Sequence, residues 1–176
     1  MEIRLLRLPA LVALLVITLA AAAPAPASSP PAPTPRQVRT AVGKAERSKN
    51  LWATVNICNT KNHPNTIGVR GQMPSLGFAT KLRMQFRVQY WTGTAFTLVR
   101  GLSKSIVLGP VTTGVHQAGV RFPFAPHAGV LRGWVTFEWR LRGRRVGQVT
   151  RATRMGHRDA DFGDPKGFSS GVCVIA

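Results

Sequence analysis

From Leu82 to Trp91 the chain alternates: Leu82, Met84, Phe86, Val88 and Tyr90 are apolar, and Arg83, Gln85, Arg87 and Gln89 between them are basic or polar. A period of two places the sets on opposite faces of a half-buried strand. The apolar face then needs a covering layer, a second sheet or a helix. The same pattern returns over Val130–Arg142, with Leu131, Val135, Phe137, Trp139 and Leu141 set against Arg132, Trp134, Thr136, Glu138, Arg140 and Arg142.

Shorter runs fill the interval around these two. Leu51–Cys58 predicts a strand with Leu51, Ala53, Val55 and Ile57 on one side and Trp52, Thr54, Asn56 and Cys58 on the other. Asn59–Asn65 has loop composition, and Thr66–Met73 predicts a strand facing Ile67, Val69 and Met73 inward. Thr92-Gly93-Thr94 makes a tight connection into Ala95–Arg100, where Phe96 and Leu98 are expected in the core. Ser105–Leu108 predicts a short edge strand. Gln117–Phe124 groups Val120, Phe122 and Phe124 on one face, with Pro123 marking an edge. Val146–Met155 and Gly171–Ile175 supply the last strands.

Short strands at this spacing, with hardly any helix, predict an all-β fold: an antiparallel β-sandwich of about 7–9 strands rather than a barrel. The run Val135–Thr153, with Phe137-Glu138-Trp139-Arg140, then Gly143, Val146 and Thr150, resembles the central hairpin of immunoglobulin-like β-sandwich domains in secreted bacterial surface proteins. The resemblance covers a short part of the chain and implies a kinship of fold, carrying no function with it. The Cys–Trp–Cys arrangement of antibody domains is absent.

The N-terminus is organised differently. Arg4 and Arg7 precede an apolar run, Leu8–Ala23, that ends in alanines. A basic head, a short apolar core and small residues describe a signal peptide over 1–22, cleaved after Ala22. The run is shorter than the ~20 residues of a usual membrane span, which weighs against an uncleaved anchor. Residues 23–35 are rich in Pro, Ala and Ser and read as a tether. Residues 36–50 form a basic arm or a short helix, and 51–176 hold the β-sandwich domain. The expected location is extracellular or at the cell envelope.

In that setting Cys58 and Cys173, the chain's two cysteines, predict a disulfide between the first and last strands of the domain. Without a C-x-x-C pair or histidines at ligand spacing, no structural metal and no cofactor are expected. Gly167-Phe168-Ser169-Ser170-Gly171 matches the G-x-S-x-G pattern of serine hydrolases, but no acid or histidine follows the serine. A Gly/Ser turn into the last strand is the expected reading. Asp159, Asp161 and Asp164 are spaced to offer oxygen ligands, yet the EF-hand pattern fails, with Gly163 and Ser170 at its fifth and twelfth positions. These acids are expected to pair with Arg154 and Arg158 or to lie solvated.

A net charge of +18 over 176 residues, carried mainly by arginine, points toward polyanions. The outward rows hold Arg83, Arg87, Arg132 and Arg140 with Trp91 and Trp134, cations beside aromatics that suit acidic polysaccharide, wall polymer or another polyanion. The sequence therefore predicts a secreted, basic, non-enzymatic binding or adhesion module for an acidic polymer of the envelope. The alternatives are a structural envelope protein without a ligand and a secreted serine hydrolase.

Overall fold

A computed structural model describes residues 31–176. The expected signal peptide and the tether up to residue 30 lie outside the described residues. The chain order is α1 (Pro35–Glu46), β1 (Trp52–Thr60), β2 (His63–Pro74), β3 (Thr80–Trp91), β4 (Phe96–Val111), β5 (Val115–Pro123), β6 (Gly129–Leu141), β7 (Arg144–Ala152) and β8 (Cys173–Ile175). The strands make two antiparallel sheets: β1-β2-β5, and β4-β3-β6-β7 with β8 also paired to β6. β7 pairs Trp134–Leu141 of β6 and β8 pairs Gly129–Leu131, so the two divide its length.

Alternation builds the core as expected. Leu82, Met84, Phe86 and Val88 of β3 and Leu131, Val135, Phe137 and Trp139 of β6 are buried, packed with Val55, Ile67, Val69, Met73 and Phe122 of the smaller sheet. Burying side chains of this size stabilises by roughly 1.5–3 kcal/mol each before the cost of ordering them. The Trp139 indole N–H donates to the Pro74 carbonyl at 2.8 Å, so its polar atom is satisfied while it ties one sheet to the other. Cys58 and Cys173 are bonded, with Cα atoms 5.3 Å apart.

Of the two forms expected for 36–50, the chain takes the helix. Thr34 caps it in a capping box with Gln37, and Pro35 occupies the first turn, so both belong to the helix start rather than to the tether. Val38, Ala41, Val42 and Ala45 recur at helical spacing and pack on the core. Val42 seats on Gly147 of β7, where a Cβ would lie 2.5 Å from its Cγ1. Arg151 donates to the Glu46 carbonyl at 3.0 Å, placing a cation at the helix C-terminus.

Several strand readings need correction. The register of β1 against β2 slips between Val55 and Ile57, so Asn56 and Ile57 together oppose Gly68. This β-bulge turns Ile57 to the outer face and brings Cys58, opposite Ile67, toward Cys173. Both faces of β1 are buried from Leu51 to Ile57. The cause is the segment 153–172, which runs along the free edge of β1: Arg154 N–H donates to Ala53 O, Val55 and Ser170 exchange both bonds, and Asp164 N–H reaches Asn56 O. An otherwise open strand edge is thereby covered.

Asn59–Asn65 is not a loop. β1 runs on to Thr60 and β2 starts at His63, with Asn59 and Asn65 taking φ of 45° and 50°, a backbone region that asparagine tolerates. Phe96 and Leu98 lie outside the core, because they pair with Trp91 and Gln89 of the outer face. The residues between Leu98 and Ser103 then shift the register, and Val99 and Leu102 pack inward instead. Ser105–Leu108 is the far part of this one long strand. Tyr90, expected on the buried face, is 40% exposed at the end of β3.

Candidate functional site

The outer face of the larger sheet collects all six residues singled out for binding. Register fixes their places: Arg83 opposes Glu138, Gln85 opposes Thr136, Arg87 opposes Trp134 and Gln89 opposes Arg132 across β3 and β6. Trp91 lies at the end of the same face opposite Phe96. Arg140 stands two residues beyond Glu138 on β6.

The face has two unlike halves. In one, Glu138 is 5% exposed and takes Arg83 on Oε1 at 3.0 Å and Arg140 Nε on Oε2 at 3.1 Å. Arg83 also donates to Ser105 Oγ. Both cations are therefore committed to one buried carboxylate, and their charge is partly cancelled.

In the other half, no ion pair engages Arg87 or Arg132 among the described residues. Arg132 Nε donates to Gln89 Oε1 at 2.7 Å, and its guanidinium lies 3.9 Å over the Phe96 ring and 5.6 Å from the centre of Trp134. Burial lowers its pKa from the ordinary value. Trp91 meets Phe96 with centroids 5.0 Å apart and keeps 42% of its surface exposed. The result is a cation held between aromatic rings beside an accessible indole, at the end of the sheet face where β3 turns into β4. Phe96 belongs to this group although its sequence reading placed it inside. The signal that would have found it is the tight 92–94 turn, which sets Phe96 directly across from Trp91.

The two other sequence motifs resolve differently. Ser169 Oγ meets the Thr54 hydroxyl at 2.8 Å and accepts from the backbone N–H of His157 at 2.9 Å. The His157 ring lies on Trp52. This arrangement positions a turn, with the imidazole turned to the indole and no nucleophile–base contact of the kind a triad uses. Of the acids, Asp164 accepts from Thr60 Oγ1 and Asn62 Nδ2. Of the two expectations for these acids, pairing with Arg154 and Arg158 is not found, the ion pairs among the described residues being those of Glu138, and Asp159 and Asp161 are exposed, as the solvated alternative has it. No group of three metal-ligating side chains occurs among the described residues. Nor, among them, is any helix long and apolar enough to cross a membrane.

No protein-family model matches the chain, and no curated protein matches it. Among solved structures it is similar to a glycosyl hydrolase family 2 member from Bacteroides cellulosilyticus, at 6% identity and a TM-score of 0.36, over 62% of this chain and 15% of that one. It is also similar to Bacteroides uniformis beta-glucuronidase 2, at 18% identity and a TM-score of 0.33, over 60% and 13%. An alkylpurine DNA glycosylase from Pseudomonas fluorescens, bound to DNA, aligns at 14% identity and a TM-score of 0.28, over 58% and 28%. The chain thus spans under a third of the length of each of these proteins.

Proposed function

We propose that the protein is an exported, non-enzymatic binding module that holds an extended acidic polymer, a polysaccharide or wall polymer of the cell envelope, on the outer face of its larger sheet. The observation that carries the reading is Arg132, fixed by Gln89 between Phe96 and Trp134 and engaged in no ion pair among the described residues. Holding the guanidinium in place before binding lowers the entropy lost on contact, and the neighbouring rings offer stacking surface. A sheet face suits a chain that lies along it. Of the six residues, Arg87, Arg132, Trp91 and Trp134 make the binding half, and Arg83 and Arg140 frame it.

Retention on immobilised polygalacturonate, followed as a function of salt, tests this. Arg132→Gln and Trp91→Ala are expected to weaken retention about tenfold each, while Lys44→Gln, a charge removed on α1, changes it little. Equal losses from all three would leave only a cationic surface, and the structural-protein reading would stand.

A further inference from the structure

The smaller sheet carries a cleft of about 680 Å³ on its outer side, lined mainly by β1, β2, β5 and the segment 162–164, with Lys104 of β4 at its edge. Its floor follows from register: on adjacent strands β2 and β5, Arg70 opposes Gly119 and Arg121 opposes Gly68. The two arginines are therefore diagonal neighbours on one face, each set across from a residue with no side chain. At Gly119 a Cβ would come within 2.8 Å of Arg70 Nε, so the bare backbone is what lets that guanidinium lie across the strand.

Neither arginine has an acid in ion-pair contact among the described residues. Arg70 Nε is buried without a hydrogen-bond partner, and Arg121 Nη1 touches the His63 ring at 3.4 Å. Lys104 reaches in from β4 and donates to the Arg121 carbonyl at 2.8 Å. Burial lowers the pKa of Arg70, offset in part by the charge of Asp161. Like charges gathered this way repel, and an anion between them would relieve it.

The opposite wall holds an independent feature. Phe162 is 81% exposed and has φ of 55°, a backbone region unfavourable for a bulky side chain. The buried Asn56 amide donates to the carbonyls of Asp161 and Phe162 at 2.9 and 3.2 Å and fixes this conformation. One side of the Phe162 ring lies 5.0 Å from the Arg70 guanidinium. Asp164 completes the rim.

We propose that this cleft is a second binding site, for an acidic sugar unit whose carboxylate or phosphate bridges Arg70 and Arg121 while its ring packs on Phe162. Asp164 decides between ligand classes. A carboxylate at the rim repels a nucleic-acid backbone with a charge on every unit, but it accepts hydrogen bonds from the hydroxyls of a sugar carrying one charge per ring. The site stands apart from the reading of the larger sheet.

Titration of the ¹⁵N-labelled protein with tri-galacturonate, glucose 6-phosphate, inorganic phosphate and an eight-residue thymidine oligonucleotide tests it. The first two, carrying the carboxylate and the phosphate respectively, are the supporting probes. At least one of them is expected to move the amides of Gly68, Gly119 and Gly163. Phe162→Ala, a change at an exposed side chain, and Arg121→Gln should each weaken that binding about tenfold, whereas Trp91→Ala on the other sheet should leave these shifts unchanged. Inorganic phosphate binding as tightly and indifferently to Phe162→Ala would overturn the sugar, as would a tighter oligonucleotide. Silence at these amides with both sugar probes would overturn the site itself.

Discussion

The His157 ring lies flat on Trp52, with centroids 4.5 Å apart and planes 11° from parallel. Burial against the indole lowers the imidazole pKa from its ordinary 6.5, and Asp159 pulls it part of the way back. Arg151 and Arg154 line the same hollow. The unfolded chain therefore takes up this proton at a higher pH than the folded one. The contribution is complete above the ordinary value and is lost as pH falls through it toward the lowered one, levelling off below. Melting temperatures between about pH 7.5 and about pH 5 should fall more for the wild type than for His157→Phe, which keeps the stack without the titration. Parallel slopes would sink the assignment.

Phe86 and Arg87 test the two faces of β3. Phe86 is buried among both sheets, so Phe86→Ala should cost about 3 to 5 kcal/mol. Arg87 has one long contact, 3.5 Å to the buried Thr136 Oγ1, and a buried Nε without a partner, so Arg87→Ala should exceed the roughly half a kcal/mol of a purely surface change and cost about 1 kcal/mol. Urea unfolding of both variants measures the difference, and a reversed order would mean the strand faces the other way.

Glu138 couples stability to surface charge. Glu138→Gln removes the carboxylate shared by Arg83 and Arg140 and should cost roughly 2 to 3 kcal/mol. It should also strengthen retention on polygalacturonate by releasing both cations. A variant that unfolds like the wild type would show that the pairing contributes nothing net, as replacement of some buried ion pairs does.

Strands whose alternation runs unbroken were legible in the sequence: β3 and β6 bury Leu82, Met84, Phe86, Val88, Leu131, Val135, Phe137 and Trp139 as period two requires, and the residues sharing the outer face follow from it, although Gln89, Thr136 and Glu138 of that face are buried as well and Tyr90 is exposed. What escaped was set by irregularity. The shift in β4 that carries Phe96 outward, and the slip at Asn56, each invert the pattern beyond them, and alternation contains no mark of where parity changes. Helix α1 was weakly legible from Val38 and Val42, while its strongest signal, Thr34 with Gln37, straddles the boundary drawn between tether and arm. The second cleft needed the third dimension. Gly68 and Gly119 are far apart in the chain, and only pairing sets each across from an arginine.

The single extra residue in β1 serves two neighbouring features at once. It sends the Asn56 amide to the carbonyls of Asp161 and Phe162, and it turns Cys58 to meet Cys173. Deleting one residue there would release Phe162 from its strained posture and point the two sulfurs apart in the same stroke. Change at this position is therefore all or nothing: a lineage that lost the bulge would forfeit its covalent closure together with the wall of the cleft, whereas one that altered Phe162 alone would reshape the cleft's rim on an intact scaffold.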